Sequence, residues 1–251
     1  MLRKSLSAGA KALVALGGLA ACTAAQAGVI STTETAEFSI LDVTNSSGDD
    51  FAELVVTPTP IASEFDDATG TASADAQGLV EFFDSLSGVG VDAVLAASAT
   101  ASAREDQTDG EADTLTVALL ELVNTSATAT FDILFGVDFV IDAIAVVDEI
   151  FESATSGGSL VVSVDGQDQV NRVVTADPLA SGTFPDPAVA GAADTIEFAL
   201  TLEPLAVGVV NIEANAFGAV GRGQGELAAV SSPPVMGLLV LGLWWLRRLR
   251  P

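Results

Sequence analysis

The stretch Phe131-Asp132-Ile133-Leu134-Phe135-Gly136-Val137-Asp138-Phe139-Val140-Ile141-Asp142 constrains the fold more than any other. Every odd position is apolar, and three of the six even ones are Asp. A period of two sends successive side chains to opposite faces of a strand, so this segment has one face in a core and one in water. Ile196, Phe198, Leu200 and Leu202 alternate with Glu197, Ala199, Thr201 and Glu203 in the same way. Val210, Ile212, Ala214 and Ala216 alternate with Asn211, Glu213 and Asn215. Strands are also expected over 36–43, 51–57, 79–83, 89–103, 114–123, 149–155 and 159–164, with Gly, Pro, Asn, Asp and Ser in the breaks. Residues 143–151 fit a short helix as well as a strand. About ten short strands without an amphipathic helix predict an all-β fold, an antiparallel β-sandwich over residues 28–226.

Three connections carry further expectations. Asn124-Thr125-Ser126-Ala127 reads as a short turn, and Arg104 to Asp113 as an acidic loop. Together they imply a three-strand meander from 89 to 142. Asp165-Gly166 reads as a hairpin turn. The Ala/Ser/Thr run over 96–103 suits a closely packed or edge strand.

The charge is distributed as sharply as the hydrophobicity. All 34 carboxylates lie between Glu34 and Glu226, where only Arg104, Arg172 and Arg222 oppose them. A surface this negative argues against nucleic acid, whose phosphates must be met by Lys and Arg. The chain has no His, so no Ser-His-Asp or Cys-His system and no imidazole zinc site can be built. Carboxylate-dependent glycoside hydrolysis needs only a pair of acids, but no pair stands out. Tyr is absent and both Trp lie near the C-terminus, which removes the usual sugar-stacking platform. Catalysis is therefore not expected.

The remaining cations mark the two ends. Arg3, Lys4 and Lys11 precede the apolar run Ala12 to Ala21, and Ala25-Gln26-Ala27 fits the small-x-small rule. Residues 1–27 are read as a secretory signal peptide cut by signal peptidase after Ala27. A second reading stays open, because Leu19-Ala20-Ala21-Cys22 resembles a lipobox in which Cys22 is lipidated. Cleavage after Ala27 leaves no thiol, so the exported chain owes nothing to disulfides.

At the other end, a linker over 227–232 leads to Pro233-Pro234, then to 12 apolar residues from Val235 to Leu246, then to Arg247, Arg248 and Arg250. As a helix the run reaches roughly 18 Å, short of a full bilayer span. Trp244 and Trp245 lie where an interfacial belt belongs, and the arginines hold the tail on the cytoplasmic side. Residues 233–251 resemble the PEP-CTERM sorting signal of Gram-negative bacteria. Ser-Ser-Pro-Pro stands where that motif has Val-Pro-Glu-Pro, so its Glu is missing. The resemblance implies an exosortase-like processing enzyme, transient inner-membrane anchoring, and delivery to the cell surface or an exopolysaccharide matrix. A non-catalytic surface or extracellular-matrix structural protein is the expected role.

One segment suggests a cation. Glu105, Asp106, Asp109, Glu111 and Asp113 place five carboxylates within nine residues, beside Gly110. Calcium takes six to eight such oxygens, although the EF-hand pattern would put Thr116 where its bidentate Glu belongs. The alternatives are a solvated acidic turn and a calcium-dependent adhesion module. No other cofactor is indicated.

Overall fold

The computed structural model describes residues 28–48, 51–69, 72–84, 91–103, 109–147, 152–183 and 186–222. The strands are β1 (Gly28–Asn45), β2 (Leu54–Ala68), β3 (Ser73–Asp84), β4 (Val91–Ala103) and β5 (Asp109–Asn124). They continue as β6 (Phe131–Val147), β7 (Glu152–Val164), β8 (Gln167–Ala176), β9 (Ala188–Leu202) and β10 (Val207–Arg222). One helical turn, α1 (Pro178–Ser181), is capped by Asp177, whose side chain accepts from the amides of Leu179 and Ala180.

Two antiparallel sheets of five strands result, ordered β3-β4-β1-β6-β9 and β2-β5-β10-β7-β8. β3 faces β2, β4 faces β5 and β10, β1 faces β10 and β7, β6 faces β7, and β9 faces β8. The alternation in each strand sends one set of side chains between these layers. The expected sandwich is present.

The expected meander is not. β4 and β6 lie in the first sheet on either side of β1, whereas β5 lies in the second between β2 and β10. Only β3–β4 and β7–β8 are neighbours both in sequence and in a sheet; the other connections pass between layers. The run over 96–103 is an internal strand, paired with both β1 and β3. Residues 143–147 complete β6 and are strand, not helix. The described part of the first expected strand, 152–155, and the strand 159–164 are one strand, β7, because Ser156, Gly157 and Gly158 continue it. β2 runs through Pro58 and Pro60, two prolines of one parity on a sheet edge, where every second N–H has no partner to lose. Asp165 and Gly166 both adopt positive φ (49° and 78°) and close the predicted hairpin between β7 and β8.

The core changes character along its length. One half holds Phe38, Phe135 and Phe198, stacked with ring centroids 5.3 and 5.2 Å apart. Away from it, between β3, β4, β5 and β10, the layer is lined by Ala76, Ala97, Ala99, Ala112 and Ala216. Side chains this small let the sheets approach closely enough to hydrogen-bond across the layer. Thr114 Oγ1 on β5 donates to Ser98 O on β4 at 2.7 Å, and the hydroxyls of Thr32 on β1 and Ser156 on β7 meet.

Gly157, on the outer face of β7, is fixed by its neighbours within the second sheet. A Cβ there would sit 2.5 Å from Val174 O, in the backbone of β8, and 2.6 Å from the Phe217 ring. Gly157→Ala should therefore destabilise the chain by about 1–3 kcal/mol, the usual cost of overpacking. Denaturant unfolding checks this, and an unchanged midpoint would show that β8 can yield freely.

Among the described residues no helix is long and apolar enough to cross a membrane. The expected signal peptide, with Cys22 and Ala27, and the tail, with Pro233, Pro234, Arg247, Arg248 and Arg250, lie outside the described residues.

Candidate functional site

The acidic segment is not one loop. Residues 109–113 already belong to β5, and Asp109, Glu111 and Asp113 alternate with Gly110 and Ala112. Period-two alternation was present here too, with small residues in place of large ones on the buried side. The three carboxylates thus share the outer face of the second sheet, each about 7 Å from the next along the strand. A calcium loop instead folds back to surround its ion. Glu105 and Asp106 lie outside the described residues.

Neighbouring strands set the surroundings of each carboxylate. Thr69, just beyond β2, holds the start of β5: its N–H donates to Asp109 O at 2.8 Å, and its Oγ1 accepts from Asp109 N at 2.9 Å. Glu111 pairs across the sheet with Asp67 and Ala219. Asp113 sits between Phe65 on β2 and Phe217 on β10. Partial burial there, aided by the charge of Glu111, pushes the Asp113 carboxyl up from 3.8 to about 6. Among the described residues no three Cys, Asp or Glu side chains come together as a metal site.

The outer face of the first sheet is also acidic but is paired with hydroxyls. Thr201 Oγ1 donates to Asp132 Oδ1 at 2.6 Å, and Thr195 Oγ1 donates to Asp138 Oδ1. These are cross-strand contacts between β6 and β9. They order exposed carboxylates on a regular surface, which suits diffuse cation binding and solubility.

The most unusual carboxyl is one that the sequence expectations passed over. Glu34 is fully buried between the sheets, and neither of its oxygens has a hydrogen-bond partner. Burial raises its pKa well above 4.5, although the nearby backbone amides of Asn215 and Ser159 pull it part of the way back. A signal for it existed. Extending the β1 alternation back from Ile40 through Phe38 and Ala36 puts Glu34 on the apolar face, but the expected strand began only at residue 36.

In comparison with known protein families, with curated proteins and with solved structures, nothing matches this chain.

Proposed function

We propose that the chain is a non-catalytic structural protein exported to the cell surface or extracellular matrix and delivered there by its C-terminal tail. The observation that carries this reading is the placement of charge: cations at both ends, flanking apolar runs, around a β-rich middle almost without cations. In this reading signal peptidase removes residues 1–27 and an exosortase-like enzyme acts at the Pro233-Pro234 junction. The inner membrane holds the tail only transiently, and exopolysaccharide is the surrounding partner. A two-layer sandwich with hydroxyl- and carboxylate-lined outer faces supports a role in a hydrated matrix.

Intact mass and terminal sequencing of the protein recovered from cells test the route directly. The expected product starts at Gly28, or at a lipidated Cys22, and lacks the arginine tail. Changing Arg247, Arg248 and Arg250 to Ser should release precursor into the medium. An unchanged distribution of that variant would overturn the sorting role.

The Asp113 carboxyl, raised by partial burial and then by the charge of Glu111, favours one alternative, a calcium-dependent adhesion module using Glu105, Asp106, Asp109, Glu111 and Asp113. A cation there would relieve the repulsion between neighbouring carboxylates. Its signature is a saturating stabilisation at millimolar calcium.

A further inference from the structure

We propose that Glu34 is a protonation latch: the two sheets close over it as the neutral acid, and the small-residue half of the sandwich parts locally when it ionises. Gly158 on β7 has no Cβ, and the Glu34 carboxyl lies beside the gap. A Cβ on Gly158 would be 2.7 Å from Ile141 Cγ2, 3.2 Å from Glu34 Oε2 and 3.3 Å from the Asn215 carbonyl oxygen. The carboxyl is thus accommodated by packing that excludes water, with a carbonyl oxygen close by. A neutral acid tolerates that setting, and a carboxylate does not.

No cationic side chain faces the group, and the backbone amides of Asn215 and Ser159 offset only part of the cost of burying a negative charge. The strands packed against β1 are β4, β6, β7 and β10. Their inward side chains nearest Glu34 are Ala97, Ile141, Ser156, Gly158, Ala214 and Ala216, and none of them ionises. Among the residues whose side chains are described, the one other titratable group on the inner faces of these four strands is Glu152 on β7, whose cross-strand partner is Arg222 at the end of β10. Glu152 is six positions from Gly158, or about 20 Å along an extended strand. Glu213 on β10 lies on the opposite face of its sheet. The charge has two ways out: a proton, or exposure to water.

Exposure is easiest in this half. Alanine and glycine contribute little buried apolar area, so separating the layers there costs less than separating the phenylalanine-rich half. The inter-sheet hydroxyl contacts at Thr32 and Ser156 can exchange for water when the layers part. Ionisation therefore acts on the weakest part of the interface. The domain becomes tight in acid and looser towards neutral and alkaline pH.

Linkage gives the size of the effect. Between the ordinary carboxylate pKa of the open form and the raised value of the closed form, each pH unit increases the opening equilibrium tenfold. Hydrogen exchange by mass spectrometry on the purified full chain, at constant ionic strength from pH 5 to 8, reads this directly. After correction for intrinsic exchange, protection of β1, β7 and β10 around Glu34 should fall with rising pH, by up to tenfold per pH unit until the carboxyl of the closed form itself titrates, while the Phe131–Phe135 part of β6 keeps its protection. In Glu34→Gln the slope should vanish and protection should stay at the acid level. Should the amide fail to fold, Glu34→Met supplies the same uncharged reference. A flat wild-type profile, or the same slope in wild type and variant, would overturn the latch.

Discussion

Asn124→Ala should be among the most damaging single substitutions in the described fold. Asn124 ends β5, where the chain leaves the second sheet for the first, and its side chain is 1% exposed. Its Nδ2 donates to Ala129 O at 2.8 Å, Leu202 O at 3.1 Å and Glu203 O at 2.9 Å, and its Oδ1 accepts from Ser126 N at 2.9 Å. One amide thus ties the β5–β6 crossover to the end of β9. Alanine removes every one of these bonds and leaves buried carbonyls with nothing to accept. Each such group costs about 1–3 kcal/mol, so a total loss of about 3–5 kcal/mol is expected, near the upper end for point substitutions. For a domain of this size that lowers Tm by roughly 10 °C. Asn124→Asp serves as the diagnostic partner. It keeps the acceptor for Ser126 but points carboxylate oxygen at three carbonyls, so it should do no better than alanine. Thermal unfolding decides the matter, and a loss under about 1 kcal/mol for Asn124→Ala would mean that water repairs the crossover.

Asn124 also shows what could be read from sequence and what could not. The turn at 124–127 is a local property, carried by Asn, Thr and Ser, and it lies where expected. Which sheet the next strand joins is decided by partners far along the chain. β6 pairs with β1 over Gly28–Asn45, so the chain crosses layers after β5 instead of pairing back on it. Period-two alternation locates strands and their inner faces but contains no information about neighbours. The start of β5 was hidden for a different reason. Gly110 and Ala112 fill the buried side without looking apolar, and the acids between them read as a loop. β2 was cut short at Pro58 because a proline ends most strands, yet an edge strand loses nothing by it. Glu34 breaks the expected pattern in a third way, since a buried carboxyl violates the alternation rule that located its strand. Such violations mark places where something other than stability shaped the sequence.

Salt should strengthen this protein substantially. The region from Glu34 to Glu226 holds 34 carboxylates against three arginines. Arg172 on β8 is exposed, with only a long contact of 3.4 Å from its Nη1 to its neighbour's carbonyl. Few attractive pairs exist for salt to weaken, so screening acts mainly on repulsion. The Debye length falls from about 10 Å at 0.1 M to about 3 Å at 1 M, which silences interactions between neighbouring strands' carboxylates. Tm should climb steadily through molar NaCl, by a total on the order of 10 °C, or a few kcal/mol. Acid should act in the same direction. Asp113 binds its proton more tightly folded, at about 6, than unfolded, at 3.8, and Glu34 is shifted the same way. Their contribution is complete below about pH 4 and is lost as pH rises through 6 and beyond, so Tm should rise on going from pH 7 to 5. Asp113→Asn and Glu34→Gln together should flatten that part of the profile and leave the salt response intact, because the salt response belongs to the whole surface. Calcium separates the remaining possibility: a bound ion saturates at millimolar concentration or below and disappears when Asp106, Asp109 and Asp113 become Asn, whereas screening does neither. Equal melting temperatures in dilute buffer and in molar NaCl would show that the carboxylates are spaced widely enough for water alone to manage their repulsion.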